Sequence, residues 1–258
     1  MRPVYAFDSA IVRLPPASVV DGLRVGAGAG PSPQGVMAEH SAYVAALEAS
    51  GVAVETLSPL EDHPDSLFIE DPAFVLPEGA ILMRSCAPSR AGETAAIAPV
   101  LRRRFERVLA LDRGFADGGD ILILPDEILI GLSARTDREG AERFVALAAL
   151  LGRRARIVAT PPGVLHLKSA CALLDEETVI ATRALAKADL FDGLEVIAVP
   201  DEEEGAANLL RVNDVVLLGA DYPGTRAVIE ARDVEVVPLP VGEIRKIDAG
   251  LSCMSLRW

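Results

Sequence analysis

A helix-like stretch followed by a short β-type run recurs five times along this chain, and that recurrence limits the fold more than any other feature. Residues 52–57 follow an amphipathic stretch at 38–50, 107–111 follow 93–105, and 156–160 follow 138–151. Residues 194–199 follow a short stretch near 187–191, and 234–239 follow 225–232. An interval of roughly 40–55 residues is the spacing of a repeat architecture. A strand pair is read ahead of the helix in each unit. Examples are 66–69 with 80–83, and 120–124 with 127–130 across the turn at Pro125-Asp126. The unit is therefore ββαβ. Five such units closing in a ring make an α/β fold, a five-bladed propeller with its chemistry at the central hole. No Pro/Ser-rich linker interrupts them, so residues 1–258 are expected to form a single domain. A doubly wound parallel sheet has one strand per helix, and the hairpins argue against it. The run Gly26-Ala27-Gly28-Ala29-Gly30 lacks GxGxxG spacing and leads into Pro31-Ser32-Pro33. It reads as a flexible loop able to act as a lid.

Composition excludes several classes of function. A net charge of −13 argues against non-specific nucleic-acid binding, which needs Lys and Arg to neutralise phosphates. It suits solubility, and it would draw in a cationic substrate. No segment approaches the roughly 20 apolar residues of a membrane span, and the N-terminus lacks an apolar signal core. Three widely spaced cysteines, Cys86, Cys171 and Cys253, make no disulfide framework and fit a reducing cytoplasm. With three histidines and no CxxC, no structural zinc site is expected.

Three short fragments carry chemistry. Cys253 sits between Ser252 and Met254 shortly after Gly250, in a polar turn where a thiol can be exposed. Cys171, by contrast, lies in an apolar run and reads as core, and Cys86 reads as structural. His166 heads a strand-like segment after Pro161-Pro162-Gly163, whereas His40 falls on a helix and His63 in a loop. An imidazole near neutral pKa moves protons in both directions. Asp117 opens the turn Asp117-Gly118-Gly119-Asp120. It is either an ordinary turn carboxylate or the group that orients the imidazole, and Asp120 could share that duty. A second acidic group, Asp65, Glu70 and Asp71, surrounds Phe68. Facing solvent it would be unremarked surface; facing a cavity it would hold a guanidinium. Arg90 and Arg135 could grip a carboxylate at the far end of a substrate. The run 201–204, with four acidic residues, reads as a solvated face.

As a set and in this order, these fragments resemble the dimethylarginine dimethylaminohydrolases among the guanidino-group-modifying enzymes. The likeness spans nearly the whole chain, at 20–23, 64–72, 117–120, 131–136, 164–169 and 245–258. The resemblance implies a five-bladed propeller that hydrolyses methylated arginine without metal or organic cofactor. Cys253 would be the nucleophile, His166 the general acid/base and Asp117 the carboxylate behind it. Asp71 would bind the guanidinium, with Asp65, Glu70 and Phe68 close by. Arg90 and Arg135 would hold the α-carboxylate, and backbone groups at Val19 and Ile247 would contact the amino-acid end. The family usually shows Glu where Asp117 stands, so the shorter side chain puts its reach to His166 in question. Arginine deiminases carry an aspartate where Lys168 stands, and its loss favours a methylated substrate. The partner implied is a small molecule, with neither nucleic acid nor membrane, and a homodimer is an admissible assembly. The alternatives are an arginine deiminase or amidinotransferase, a non-catalytic binding protein on the same propeller, and a thiol protease or generic cysteine hydrolase.

Overall fold

The computed structural model of the protein describes residues 2–25 and 28–258. The proposed lid run falls partly on Gly26 and Ala27, which lie outside the described residues. The chain opens with β1 (Ser9–Arg13), α1 (Pro33–Ala49) and β2 (Ala53–Leu57). Then come β3 (Ala73–Leu76), β4 (Gly79–Leu82), α2 (Glu93–Arg104) and β5 (Val108–Ala110). The third unit is β6 (Ile121–Ile123), β7 (Ile128–Leu132), α3 (Arg138–Leu150) and β8 (Ala155–Ala159). The fourth is β9 (Cys171–Leu173), β10 (Thr178–Ala181), α4 (Arg183–Ala186) and β11 (Glu195–Ala198). The fifth is β12 (Leu210–Val212), β13 (Val215–Gly219), α5 (Pro223–Glu230) and β14 (Glu235–Leu239), followed by β15 (Ser255–Arg257).

These strands form five three-stranded sheets, the five blades expected from the repeat. Within four of them an antiparallel hairpin leads to a middle strand, and in all five a helix carries the chain to a third strand parallel to the middle one. A parallel neighbour needs such a crossover, which is why one helix falls at the same place in every unit. The first unit lacks its own leading strand. β15 supplies it, pairing antiparallel to β1 with Ala10 opposite Arg257. The two ends of the sequence thus share one blade.

Local chemistry fixes the helix starts. Ser32 caps α1 through Gly35 N–H with Pro33 in the first turn, Asp137 caps α3 through Gly140 N–H, and Thr182 caps α4. Apolar faces close over one another between the blades. The largest cluster joins Val36, Tyr43 and Leu47 of α1 to Leu217 of β13 and Leu239 of β14. Burying a side chain such as Leu47 contributes roughly 1.5–3 kcal/mol.

Three expectations differ from the structure. Residues 66–69 are not a strand: the stretch is a series of turns, with Ser66 N–H bonded to His63 O and Phe68 N–H to Asp65 O, and β3 begins after Pro72. Its apolar residues are buried for another reason, taken up below. The fourth helix lies at Arg183–Ala186 and not at 187–191, because Thr182 provides the cap. The acidic run at 201–204 is only partly a solvated face. The Glu203 carboxylate accepts from Gly224 N–H, Thr225 N–H and Thr225 Oγ1, and so caps α5.

Candidate active site

The site is assembled from one repeated location. The segment just ahead of each blade's leading strand delivers a polar group to the hub. Asp71 precedes β3, Asp117 and Asp120 precede β6, His166 precedes β9, Asn208 precedes β12 and Cys253 precedes β15. Turns, not strands, hold these groups, which explains why 65–71 is buried without sheet pairing. Ile69, Glu70 and Asp71 are all nearly inaccessible to solvent.

Cys253, His166, Asp65, Asp71, Arg90, Arg135, Phe68 and Ile247 line one small cavity of about 30 Å³. The thiol and imidazole expected to meet do share a pocket. Leu23, Leu165, Asp248 and Ala249 complete the wall. His166 lies flat against Gly119, where an added Cβ would come within 2.9 Å of the ring and 2.8 Å of Asp71 Oδ1. At Gly118 a Cβ would sit 2.0 Å from Glu70 O. The Gly-Gly turn is therefore required by close approach, not merely by turn geometry.

His166 Nε2 stands 3.3 Å from Asp117 Oδ2, longer than the usual charge-assisted contact. Asp117 Oδ1 is buried with no hydrogen-bond partner, and Arg135 Nη1 is 3.6 Å from Oδ2. Asp120, three residues on, accepts from Ser133 Oγ, Thr136 Oγ1 and Leu167 N–H. It anchors the turn that carries His166 and has no free oxygen for a substrate. Asp71 Oδ1 accepts from Gly119 N–H at 2.9 Å, and Oδ2 is ion-paired with Arg90. Asp65 Oδ1 accepts from Leu23 N–H at 3.0 Å, while Oδ2 is buried and unpartnered.

Three sequence expectations change here. Every nitrogen of Arg90 is engaged, by Glu93, Asp71 and the carbonyls of Asp65 and Phe68. Its buried guanidinium is committed to Asp71 and Glu93, which leaves one Nη1 N–H and no planar fork for a substrate carboxylate. Glu70 does not line the pocket; its carboxylate is held by Lys168 Nζ at 2.6 Å and Arg257 Nη2 at 3.2 Å. Val19 is packed in the core and its carbonyl already accepts from Gly22 N–H. Leu23, four residues later, stands in the wall instead. Sequence reasoning missed Leu23, Leu165, Asp248 and Ala249 in the wall, and Asn208 beside the sulfur. Asn208 Oδ1 accepts from Ser252 N–H at 3.1 Å, and its Nδ2 lies 4.0 Å from Cys253 Sγ. The signal for Asn208 was its place ahead of β12, equivalent to the other hub residues.

Electrostatics follow from burial among acids. Burial works against the His166 imidazolium, but Asp71, the Asp117 contact and Asp120 outweigh it and raise the pKa to about 9. Burial, then Glu70 and Asp71, push the Cys253 thiol up to about 11. Burial also raises the Asp65 carboxyl. Burial acts on Asp71 as well, yet His166, Arg90 and Gly119 N–H prevail and hold its carboxyl below the usual range. One atom each of Asp71, Asp117 and His166 lie within 4.8 Å of one another, a spacing able to hold a cation. Arg90 on Asp71 and Arg135 beside Asp117 already supply positive charge there. Cys86, Cys171 and Cys253 are free thiols. Among the described residues no helix is long and apolar enough to cross a membrane.

A five-bladed α/β ring with thiol, imidazole and carboxylates at its hub is the arrangement of guanidine-modifying enzymes, and the family model described as "Arginine deiminase" matches residues 54–205. The curated "N(G),N(G)-dimethylarginine dimethylaminohydrolase" of Pseudomonas aeruginosa is 37% identical over 98% of this chain and 100% of its own length. The protein of the same name from Streptomyces coelicolor is 34% identical over 96% of each. The chain belongs to the dimethylarginine dimethylaminohydrolase family. The solved P. aeruginosa enzyme, a Cys-to-Ser mutant complexed with citrulline, superposes with a TM-score of 0.95 at 36% identity, covering 98% of this chain and 100% of that one.

Proposed function

We propose that this protein hydrolyses the guanidinium of Nω-methylated arginine, converting asymmetric dimethylarginine to citrulline and dimethylamine. The observation that carries the reading is the shared pocket, with Cys253 and His166 set among Asp65, Asp71 and Arg135. The same reading treats residues 1–258 as one propeller domain, supported by the pairing of β15 with β1. Asp65, with a buried oxygen lacking a partner, and Asp71, fixed by Arg90, face the cation. Arg135, whose side chain among the described residues is engaged only by the long Asp117 contact, takes the substrate carboxylate. Ile247, Leu23 and Phe68 close around the chain between.

At neutral pH the resting pair is a thiol and an imidazolium. Burial, then Glu70 and Asp71, hold the thiol up, and the substrate's positive charge offsets the two carboxylates, so binding promotes loss of the Cys253 proton. The thiolate attacks the central carbon. His166 gives its proton to dimethylamine as the C–N bond breaks, leaving a thiouronium on sulfur. The neutral imidazole then takes a proton from water, whose attack expels the thiolate and releases citrulline. Asp117 orients His166 throughout and stabilises its charged form. Asn208 fixes the turn bearing the sulfur and offers an amide N–H toward it. Lys168, tied to Glu70, places no carboxylate where deimination of free arginine would use one. Incubating the protein with asymmetric dimethylarginine and, separately, with arginine tests this. Citrulline with dimethylamine and a mass adduct on Cys253 are expected; ammonia from arginine as the dominant product would overturn the substrate assignment.

A further inference from the structure

A second cavity lies directly behind the hub. It has a volume of about 110 Å³, several times the ~10–15 Å³ that one water molecule needs. It shares no lining residue with the Cys253 pocket, yet the two are lined by residues one or two apart in the chain: Glu70 and Asp71, Ser252 and Cys253, Lys168 and His166. They stand back to back across one thickness of backbone.

The charge inside this cavity is unbalanced. Its lining carries three cations, Lys168, Arg211 and Arg257, against one carboxylate, Glu70. Lys168 Nζ and Arg257 Nη2 converge on the same oxygen, Glu70 Oε1, and Ser252 Oγ reaches Oε2 at 3.3 Å. Glu70 is therefore saturated. Arg211 has no carboxylate partner among the described residues. It donates only through Nε, to Asn213 O at 2.9 Å, while its guanidinium stacks on Tyr5 at 5.1 Å. Its Nη1 and the Nε of Arg257 are buried without acceptors. The carboxylates that act on Tyr5, namely Asp175, Glu176 and Asp214, stand outside the lining. A half-open cavity with surplus positive charge and unused planar donors attracts an anion, and a carboxylate matches the guanidinium fork. The other walls are apolar, from Phe7, Phe74, Leu122 and Leu210. We infer that this cavity binds a small organic monocarboxylate, its head at Arg211 and its hydrocarbon body between Phe7 and Phe74. The site is separate from the Cys253 pocket, and its binding is read without any assay of turnover.

The test titrates the full chain with butyrate by calorimetry, with and without saturating citrulline, and with chloride as a second probe. Saturable butyrate binding that persists with citrulline and weakens about tenfold or more in Arg211→Gln is expected. Turnover of asymmetric dimethylarginine by Arg211→Gln without butyrate should match the unsubstituted protein. Absence of saturable binding would overturn the inference, as would displacement by citrulline, chloride binding as tight as butyrate, or unchanged affinity in Arg211→Gln. Should that variant fail to fold, crystals of the unsubstituted chain grown with 4-bromobutyrate decide the matter. A bromine peak between Phe7 and Phe74 supports the site, and an empty cavity refutes it.

Discussion

The two faces of the hub handle buried charge in opposite ways. Behind it, Glu70 is fully occupied by Lys168, Arg257 and Ser252. In front, Asp65 and Asp117 each keep a buried oxygen with no partner. A buried carboxylate without partners costs free energy that a purely structural residue would not carry. Glu70 and Asp71 fall on opposite faces and both are engaged, whereas Asp65, earlier in the same segment, keeps a buried oxygen without a partner among the described residues. Asp65 lines the Cys253 pocket and Asp117 stands against His166, and the difference between the faces marks where a cation is expected.

The largest effect belongs to the sulfur. Cys253→Ser should lower turnover by roughly 10⁴-fold or more, while Ser252→Ala, one residue away on the other face, should retain most of it. A steady-state assay of both variants compares the faces directly, and equal losses would erase the distinction. Asp117→Asn should cost about 10²–10⁴-fold in turnover with folding retained. Asp120→Asn, in the same turn but fully hydrogen-bonded, should instead lower stability by about 2 kcal/mol in denaturant melts. Lys168→Met removes one partner of Glu70 and should cost about 2 kcal/mol in the same measurement, with a slower alkylation of Cys253. Alkylation by iodoacetamide also tests the charge argument. The thiol's apparent pKa should fall from about 11 when a cationic substrate analogue binds, and an unmoved value would break it.

The smallest effect is on stability against pH. His166 is raised in the folded protein to about 9, above its ordinary value near 6.5. The folded state therefore binds the proton more tightly than the unfolded state. That contribution is fully present below about pH 6.5 and is lost as pH rises through about 9. Melting temperatures across that window should fall in the unsubstituted protein and stay flatter in His166→Asn.

Much of this was readable from residue order, and the exceptions have physical causes. The β-branched runs that became β2, β8 and β14 are bounded within a residue or two of expectation, because each strand packs its apolar side chains in a repeated environment. The hairpin of β6 and β7 was marked by its Pro-Asp turn, closed by Leu124 N–H on Glu127 O at 2.8 Å. The segment 66–69 misled because an apolar run signals burial without specifying sheet or turn. Arg90 misled because charge alone does not say which carboxylate is near; Asp71 and Glu93 claim it through the fold. Leu23 gave no chemical signal at all, since an aliphatic side chain in a loop looks the same in any loop. Asn208 was hidden by type, an amide among many polar residues, although its position ahead of β12 repeats that of His166 and Cys253.

The pairing of β15 with β1 ties the strand that follows the reactive sulfur to the opposite end of the sequence. Four blades can form from segments close together in sequence, whereas Arg257 must find Ala10 across nearly the entire polymer. The same seam holds β15 through three residue pairs, as many as the hairpins β9–β10, β12–β13 and β6–β7, with Trp258 bonded to Ser9 in addition. A molecule whose terminal strand peels away would keep most of its secondary structure and lose its nucleophile, so competence would vanish before any bulk spectroscopic signal of melting.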